Sequence, residues 1–174
     1  MEGKGIFTVY FSHPGENYSV GNIEVGNTRR VAEAIQKAAG GGIFEIECEK
    51  DYAMPYSDLI KLAKEEQRQG ELPPYKGRCD LSDAGIVFIG GPVWWGTWPQ
   101  VVFTFLSDHD LNGRILAPFT THEGSGLGSV ERDLKRLYPG ARVLPGLEVY
   151  GHEAASGDGA KKAEAFARKA LASA

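Results

Sequence analysis

Residues 86–92 read Ile86-Val87-Phe88-Ile89-Gly90-Gly91-Pro92: four apolar side chains without a polar interruption, stopped by two glycines and a proline. A strand with one wet face alternates polar and apolar residues, whereas an unbroken run suits a strand covered on both faces, as in a parallel sheet. Four further runs lie to either side. They are Ile6 to Phe11, Ile43-Phe44-Glu45-Ile46 after Gly40-Gly41-Gly42, Ile115 to Phe119, and Val143-Leu144 with Leu147 to Tyr150. Pro118 and Pro145 lack the N–H that a ladder needs, so the last two strands are expected near an edge or interrupted at those points.

Segments with helical spacing separate the runs. Val31, Ala34, Ile35 and Ala38 follow Asn27-Thr28, and Leu59, Leu62 and Ala63 precede Gly70. Trp98 to Leu106 is short and apolar, with Pro99 in the first turn, where proline is tolerated. Val130, Leu134 and Leu137 mark a fourth helix ended by Pro139-Gly140, and Ala163, Phe166, Ala167, Ala170 and Leu171 a fifth. This alternation predicts an α/β sandwich, a parallel sheet with helices on both faces, forming one domain over residues 1–174.

Charge and cysteine content narrow the function. With 19 Lys+Arg against 23 Asp+Glu the formal net charge is −4, and the signs are interspersed. That excludes nucleic acid as the main partner, because phosphate neutralisation needs a basic patch. No stretch approaches the roughly 18 apolar residues of a membrane span, and the opening residues show no signal-peptide pattern. Cys48 and Cys79 make neither a disulfide framework nor a zinc site, a usage that fits the cytoplasm. His13, His109, His122 and His152 show no metal-ligand spacing.

In such sheets ligands bind beyond the carboxyl ends of the strands, where the strand order switches. After the first run come Ser12, a long aperiodic stretch, and then Gly26-Asn27-Thr28 at a helix start. Hydroxyls, an amide and free helix N–H groups there suit an anion, although Asn or Thr at that place is commonly only a cap. After the third run all three tryptophans, Trp94, Trp95 and Trp98, crowd one segment, which favours a flat partner. After the fourth comes Thr121-His122-Glu123-Gly124-Ser125-Gly126-Leu127-Gly128, whose glycines allow close backbone approach. Neither a triphosphate loop nor a dinucleotide fingerprint is present. Together the three loops point to a planar, heteroaromatic, phosphorylated ligand.

Tyr10-Phe11-Ser12, Gly26-Asn27-Thr28, Gly91-Pro92-Val93-Trp94-Trp95-Gly96-Thr97 and Thr120-Thr121-His122-Glu123-Gly124-Ser125-Gly126, in this order, resemble the flavodoxins of bacteria. The resemblance runs between residues 5 and 150 and, lacking a long insertion in the fifth strand, matches the short-chain type. It implies a flavodoxin-like three-layer sandwich with a five-stranded sheet in the order 2-1-3-4-5. It further implies one non-covalent FMN in a low-potential one-electron carrier, a monomer that binds a reductase and acceptor proteins transiently. By the same resemblance Ser12, Asn27 and Thr28 hold the phosphate. Pro92, Val93, Trp94, Trp95 and Gly96, with Thr121, His122, Glu123, Gly124, Ser125 and Gly126, form the two loops about the isoalloxazine, and Trp95 stacks on it.

One departure is plain. Residues 13–26 separate Ser12 from Asn27, longer than the usual phosphate loop, and the extension is expected to fold over the phosphate with Asn17 and Tyr18 donating hydrogen bonds. The competing function is an FMN-dependent NAD(P)H:quinone oxidoreductase, for which this extension would supply the second substrate site.

Overall fold

The computed structural model describes residues 5–17 and 21–174. Five strands run parallel: β1 (Gly5–Tyr10), β4 (Gly42–Glu45), β7 (Ala84–Pro92), β8 (Ile115–His122) and β10 (Leu147–Tyr150). Their spatial order is β10-β8-β7-β1-β4, which is 2-1-3-4-5 when the five are counted along the chain. A sixth short strand, β9 (Arg142–Val143), also pairs with β8. Two small antiparallel pairs stand apart from this sheet, β2 (Gly15–Asn17) with β3 (Gly21–Ile23) and β5 (Glu47–Cys48) with β6 (Tyr75–Lys76). The helices are α1 (Asn27–Ala39), α2 (Tyr56–Gln69), α3 (Gln100–Ser107), α4 (Val130–Leu137), α5 (Gly151–Ala154) and α6 (Gly157–Ala172).

The alternation within β7 divides the core. Val87 and Ile89 point to one face, where Leu59 of α2, Val101, Val102 and Phe105 of α3, and Val130 and Leu134 of α4 cover them. Ile86 and Phe88 point to the other, against Val31, Ala32 and Ile35 of α1 and Ala163 and Ala167 of α6. Burial on both faces is the physical reason that the run carries no polar residue. Trp98 is fully buried, and its indole N–H donates to the Phe119 carbonyl at 3.2 Å. It thus belongs to the core, and α3 begins only after Pro99.

Pro118 departs from expectation. It lies inside β8, an uninterrupted strand between β7 and β10, paired in register with Ile89. The break falls on the neighbour. The Leu144 N–H donates to the Leu116 carbonyl, so even-numbered residues of β8 face the outer strand. Pro118 therefore turns its missing N–H toward the gap between β9 and β10, where Pro145 stands. The interruption expected of the fifth strand is real, and it accommodates the proline of the fourth.

Among the described residues no helix is long and apolar enough to cross a membrane. Burial keeps several phenols neutral. It is the largest effect that pushes Tyr75 up to about 12 and raises Tyr10, Tyr52 and Tyr138 above the ordinary value of 10.0. An acid raised in the folded state lends stability that is complete below its unfolded pKa and lost as pH climbs through the folded one. The contribution of these phenols to stability is therefore expected to be constant up to about pH 10 and to fall between pH 10 and pH 12 and beyond. Denaturant unfolding at stepped alkaline pH checks this; an unchanged midpoint at pH 11.5 would count against it.

Candidate functional site

The carboxyl ends of β1, β7 and β8 open onto a cleft of about 500 Å³ at the switch in strand order, within the size range of small-ligand sites. Its two ends differ in chemistry. Tyr56, Leu59, Ile60 and Ala63 of α2 and the Trp94-Trp95-Gly96 turn form an apolar end. Asn27 and Thr28 at the start of α1, with Thr121, His122, Glu123 and Gly151, form a polar one. No lysine or arginine lines the cleft among the described residues.

The apolar end is held by a strained turn. The Trp94 N–H donates to the Thr97 carbonyl at 2.8 Å, and Trp95 and Gly96 between them have φ of 55° and 85°. Positive φ at both central residues defines a type I′ turn, which favours Asn-Gly. Trp95 is the one non-glycine residue with positive φ among those described, and a bulky side chain there costs about 1–3 kcal/mol. The turn is fastened from outside. The Trp95 indole N–H donates to the Ile60 carbonyl at 2.8 Å, and Gln67 Nε2 donates to the Trp95 carbonyl at 3.0 Å. The Lys64 ammonium sits 4.7 Å from the Trp95 ring centroid, which leaves at most one face of that indole for a ligand. The Gly96 carbonyl accepts from the Ser129 N–H, and Gly128, at φ +52°, passes so near that a Cβ would lie 2.2 Å from the Gly96 oxygen.

Trp94 is half-buried and braced. Its ring meets Phe11 at 5.5 Å, Tyr52 at 5.6 Å and His13 at 5.8 Å, each nearly edge to face. Behind it, Tyr52 donates to the carboxylate of Glu66, a residue 1% exposed that also pairs with Lys50 at 3.1 Å.

At the polar end, Thr28 and Thr121 join α1 to β8 through a 2.7 Å hydroxyl contact. The His122 Nδ1 accepts from the Gly124 N–H at 2.9 Å, which places the ring proton on Nε2 in the neutral form. That Nε2 and Glu123 Oε1 are buried with no hydrogen-bond partner among the described residues. A buried polar atom without a partner costs about 1–3 kcal/mol, so two of them on one cleft suit a ligand that supplies an acceptor and a donor.

Of the residues singled out from sequence, Asn27, Thr28, Pro92, Val93, Trp94, Trp95, Gly96, Thr121, His122, Glu123 and Ser125 line this cleft. Ser12, Gly124 and Gly126 do not. The Ser12 hydroxyl instead accepts the Arg29 N–H at 3.1 Å and caps α1. Asn17 ends β2, with its side chain outside the described residues, and Tyr18 lies outside them altogether. Sequence reasoning missed His13, the four α2 residues and Gly151. Gly151 follows the fifth strand, so the strand-end rule applied there would have found it. The α2 residues carried only the helical spacing common to any core helix.

Comparison with known proteins agrees with this geometry. Residues 19–159 match the family model described as flavodoxin. The chain belongs to the flavodoxin family. A Bacteroides eggerthii protein classed provisionally as a flavoprotein is similar at 25% identity, with a TM-score of 0.75 over 97% of this chain and 98% of that one. A Lactobacillus acidophilus flavoprotein in complex with FMN shares 20% identity over 86% of this chain and 95% of its own, with a TM-score of 0.65. Oxidised flavodoxin 2 of Bacillus cereus shares 17% over 98% and 99%, with a TM-score of 0.60. At such identities these last two show the shared flavodoxin fold. No curated protein sequence matches the chain.

Proposed function

We propose that the cleft of this flavodoxin holds one non-covalent FMN and that the protein is a low-potential one-electron carrier between a reductase and acceptor proteins. Bound FMN supplies the electron exchange; the chain supplies binding, orientation and electrostatics. The residues present fit that cofactor. The slot between α2 and the Trp94-Trp95-Gly96 turn suits a flat apolar ring, and the start of α1, with Asn27, suits a phosphate. The unpartnered His122 Nε2 and Glu123 Oε1 suit the polar chain between. Apolar walls and a lining that holds no lysine or arginine among the described residues disfavour added negative charge on the ring, which lowers the potential at which it accepts a second electron, with Lys64 held on the far side of the Trp95 indole.

The observation that favours a carrier over an NAD(P)H-oxidising enzyme is the fastening of Trp95. Its indole and its carbonyl both bond to α2, which ties the two walls of the apolar end together. With a flavin ring in that slot the Trp95 turn would cover it, and a nicotinamide or quinone would have to displace the turn to stack on it. The test is anaerobic mixing of the FMN-loaded protein with NADPH alone. Flavin absorbance is expected to persist over minutes, while dithionite bleaches the same sample. Rapid bleaching by NADPH would make the protein an enzyme instead.

A further inference from the structure

Asp133, in the first turn of α4, is 8% exposed and lies outside the lining of the cleft. Two hydroxyls converge on one of its oxygens: Thr97 Oγ1 donates to Oδ2 at 2.6 Å, and Ser129 Oγ donates to it at 2.8 Å. The other oxygen, Oδ1, lies 3.6 Å from the largely exposed Arg136 guanidinium, so solvent screens that pair. Ser129 stands at the N-cap of α4, where a serine oxygen ordinarily accepts an N–H of the first turn. Here its side chain makes no cap bond and turns to Asp133 instead.

Both hydroxyls lead to the tryptophan turn. Thr97 closes it through the carbonyl that accepts the Trp94 N–H, and the Ser129 N–H holds the Gly96 carbonyl at 2.8 Å. One carboxylate oxygen thus fixes Thr97 and Ser129 against each other, with Gly96 bonded between them. A bulky residue at positive φ persists only where its surroundings over-determine it. The bonds to Ile60 and Gln67 hold Trp95 from α2, and the Asp133 fork holds the base of the same turn from α4. Resting on the reading of the cleft as a flavin site, we infer that Asp133 is a positioning residue for the cofactor. Without touching the ligand, it presents the Trp95 indole to it through Thr97 and Ser129.

The test joins FMN titration to amide hydrogen exchange of the FMN-free protein in Asp133→Ala, Asp133→Asn and Thr97→Val, under conditions where urea unfolding shows each variant folded. Asp133→Ala is expected to weaken FMN about tenfold, within the range that one stacked aromatic face supplies, and to speed exchange of the Ser129 amide. Asp133→Asn keeps an oxygen that accepts both hydroxyls and is expected to return both readings to near the wild type. Thr97→Val, which removes one of the two hydroxyls, is expected to fall between, and it carries the test where Asp133→Ala does not fold. In a Trp95→Asn background Asp133→Ala should change FMN affinity less than about twofold, because no indole is left to misplace and asparagine sits in the turn unaided. Unweakened FMN binding by folded Asp133→Ala would make Asp133 a stabiliser of α4 alone. A loss in Asp133→Asn as deep as in Asp133→Ala would assign the effect to charge, and an equal loss with and without Trp95 would route it elsewhere. Each of these results overturns the inference. A wild type that binds no FMN defeats the flavin reading and this inference with it, and the Ser129 exchange rates separate that case from a failure of Asp133 to hold the turn.

Discussion

Glu66→Ala is expected to lower the unfolding free energy by about 3 kcal/mol, the loss characteristic of breaking a buried hydrogen-bonded charge. Glu66 is 1% exposed, accepts from the Tyr52 hydroxyl at 2.9 Å and pairs with Lys50 at 3.1 Å. Alanine leaves a cavity and strands a phenol that has burial against it and, among the described residues, only the Cys48 thiol, 3.6 Å away, as a remaining hydrogen-bond partner. Lys50 is one-third exposed and also bonds Glu71, so water and that carboxylate absorb part of its loss. Glu66→Gln keeps an acceptor for Tyr52 and is expected to cost less. Adding Tyr52→Phe to Glu66→Ala should recover part of the deficit, because the stranded hydroxyl goes with it. Urea unfolding of the three variants measures this directly, and a Glu66→Ala loss below about 1 kcal/mol would show the cluster to be incidental. Because Tyr52 braces Trp94, the same substitution is expected to loosen the cleft wall and weaken flavin binding in proportion.

Trp95→Asn separates backbone strain from ligand contact at a single position. Asparagine tolerates left-handed φ, and Asn-Gly is the pair a type I′ turn prefers. The turn geometry is therefore expected to survive, with the relieved strain offsetting the lost contacts to Ile60 and Lys64. Thermal stability should stay within a few degrees of the wild type. Flavin affinity should fall by about 1–3 kcal/mol, the value of one aromatic face against a stacked heterocycle, or roughly five- to 150-fold. A strained tryptophan kept on a ligand cleft is the arrangement expected where function opposes stability. Unchanged affinity in Trp95→Asn would move the stacking role away from Trp95, with Trp94 the remaining indole on the cleft.

Much of this architecture was legible in the residues, for reasons that particular elements show. The run at 86–89 had to be apolar throughout because it packs against helices on both faces, so its composition announced a parallel sheet. The helix after Asn27-Thr28 and the helix ended before Pro139 declared themselves by spacing and stop signals. Pro118 misled because proline constrains a pair of strands and not one, and the gap that admits it lies 27 residues later, at Pro145. The β2–β3 and β5–β6 pairs were invisible because strands of two or three residues show no period. At the site, the strand-end loops were found because glycines and clustered tryptophans are unusual there. The α2 wall was missed because Leu59 and Ala63 look like any buried helical residues, and Ile60 faces the cleft only through the tertiary arrangement. Ser12, expected at the phosphate, also has a role that no local pattern announces: its oxygen accepts the Arg29 N–H in the first turn of α1, a contact made across 17 residues of chain.

Flavin binding by this cleft is measured most directly by the absorbance spectrum of the purified protein after incubation with FMN and removal of free ligand. The protein is expected to be yellow and to carry close to one FMN per chain, its flavin fluorescence quenched by the indole. A protein that leaves the column colourless, with all the FMN in the low-molecular-weight fraction, would contradict it.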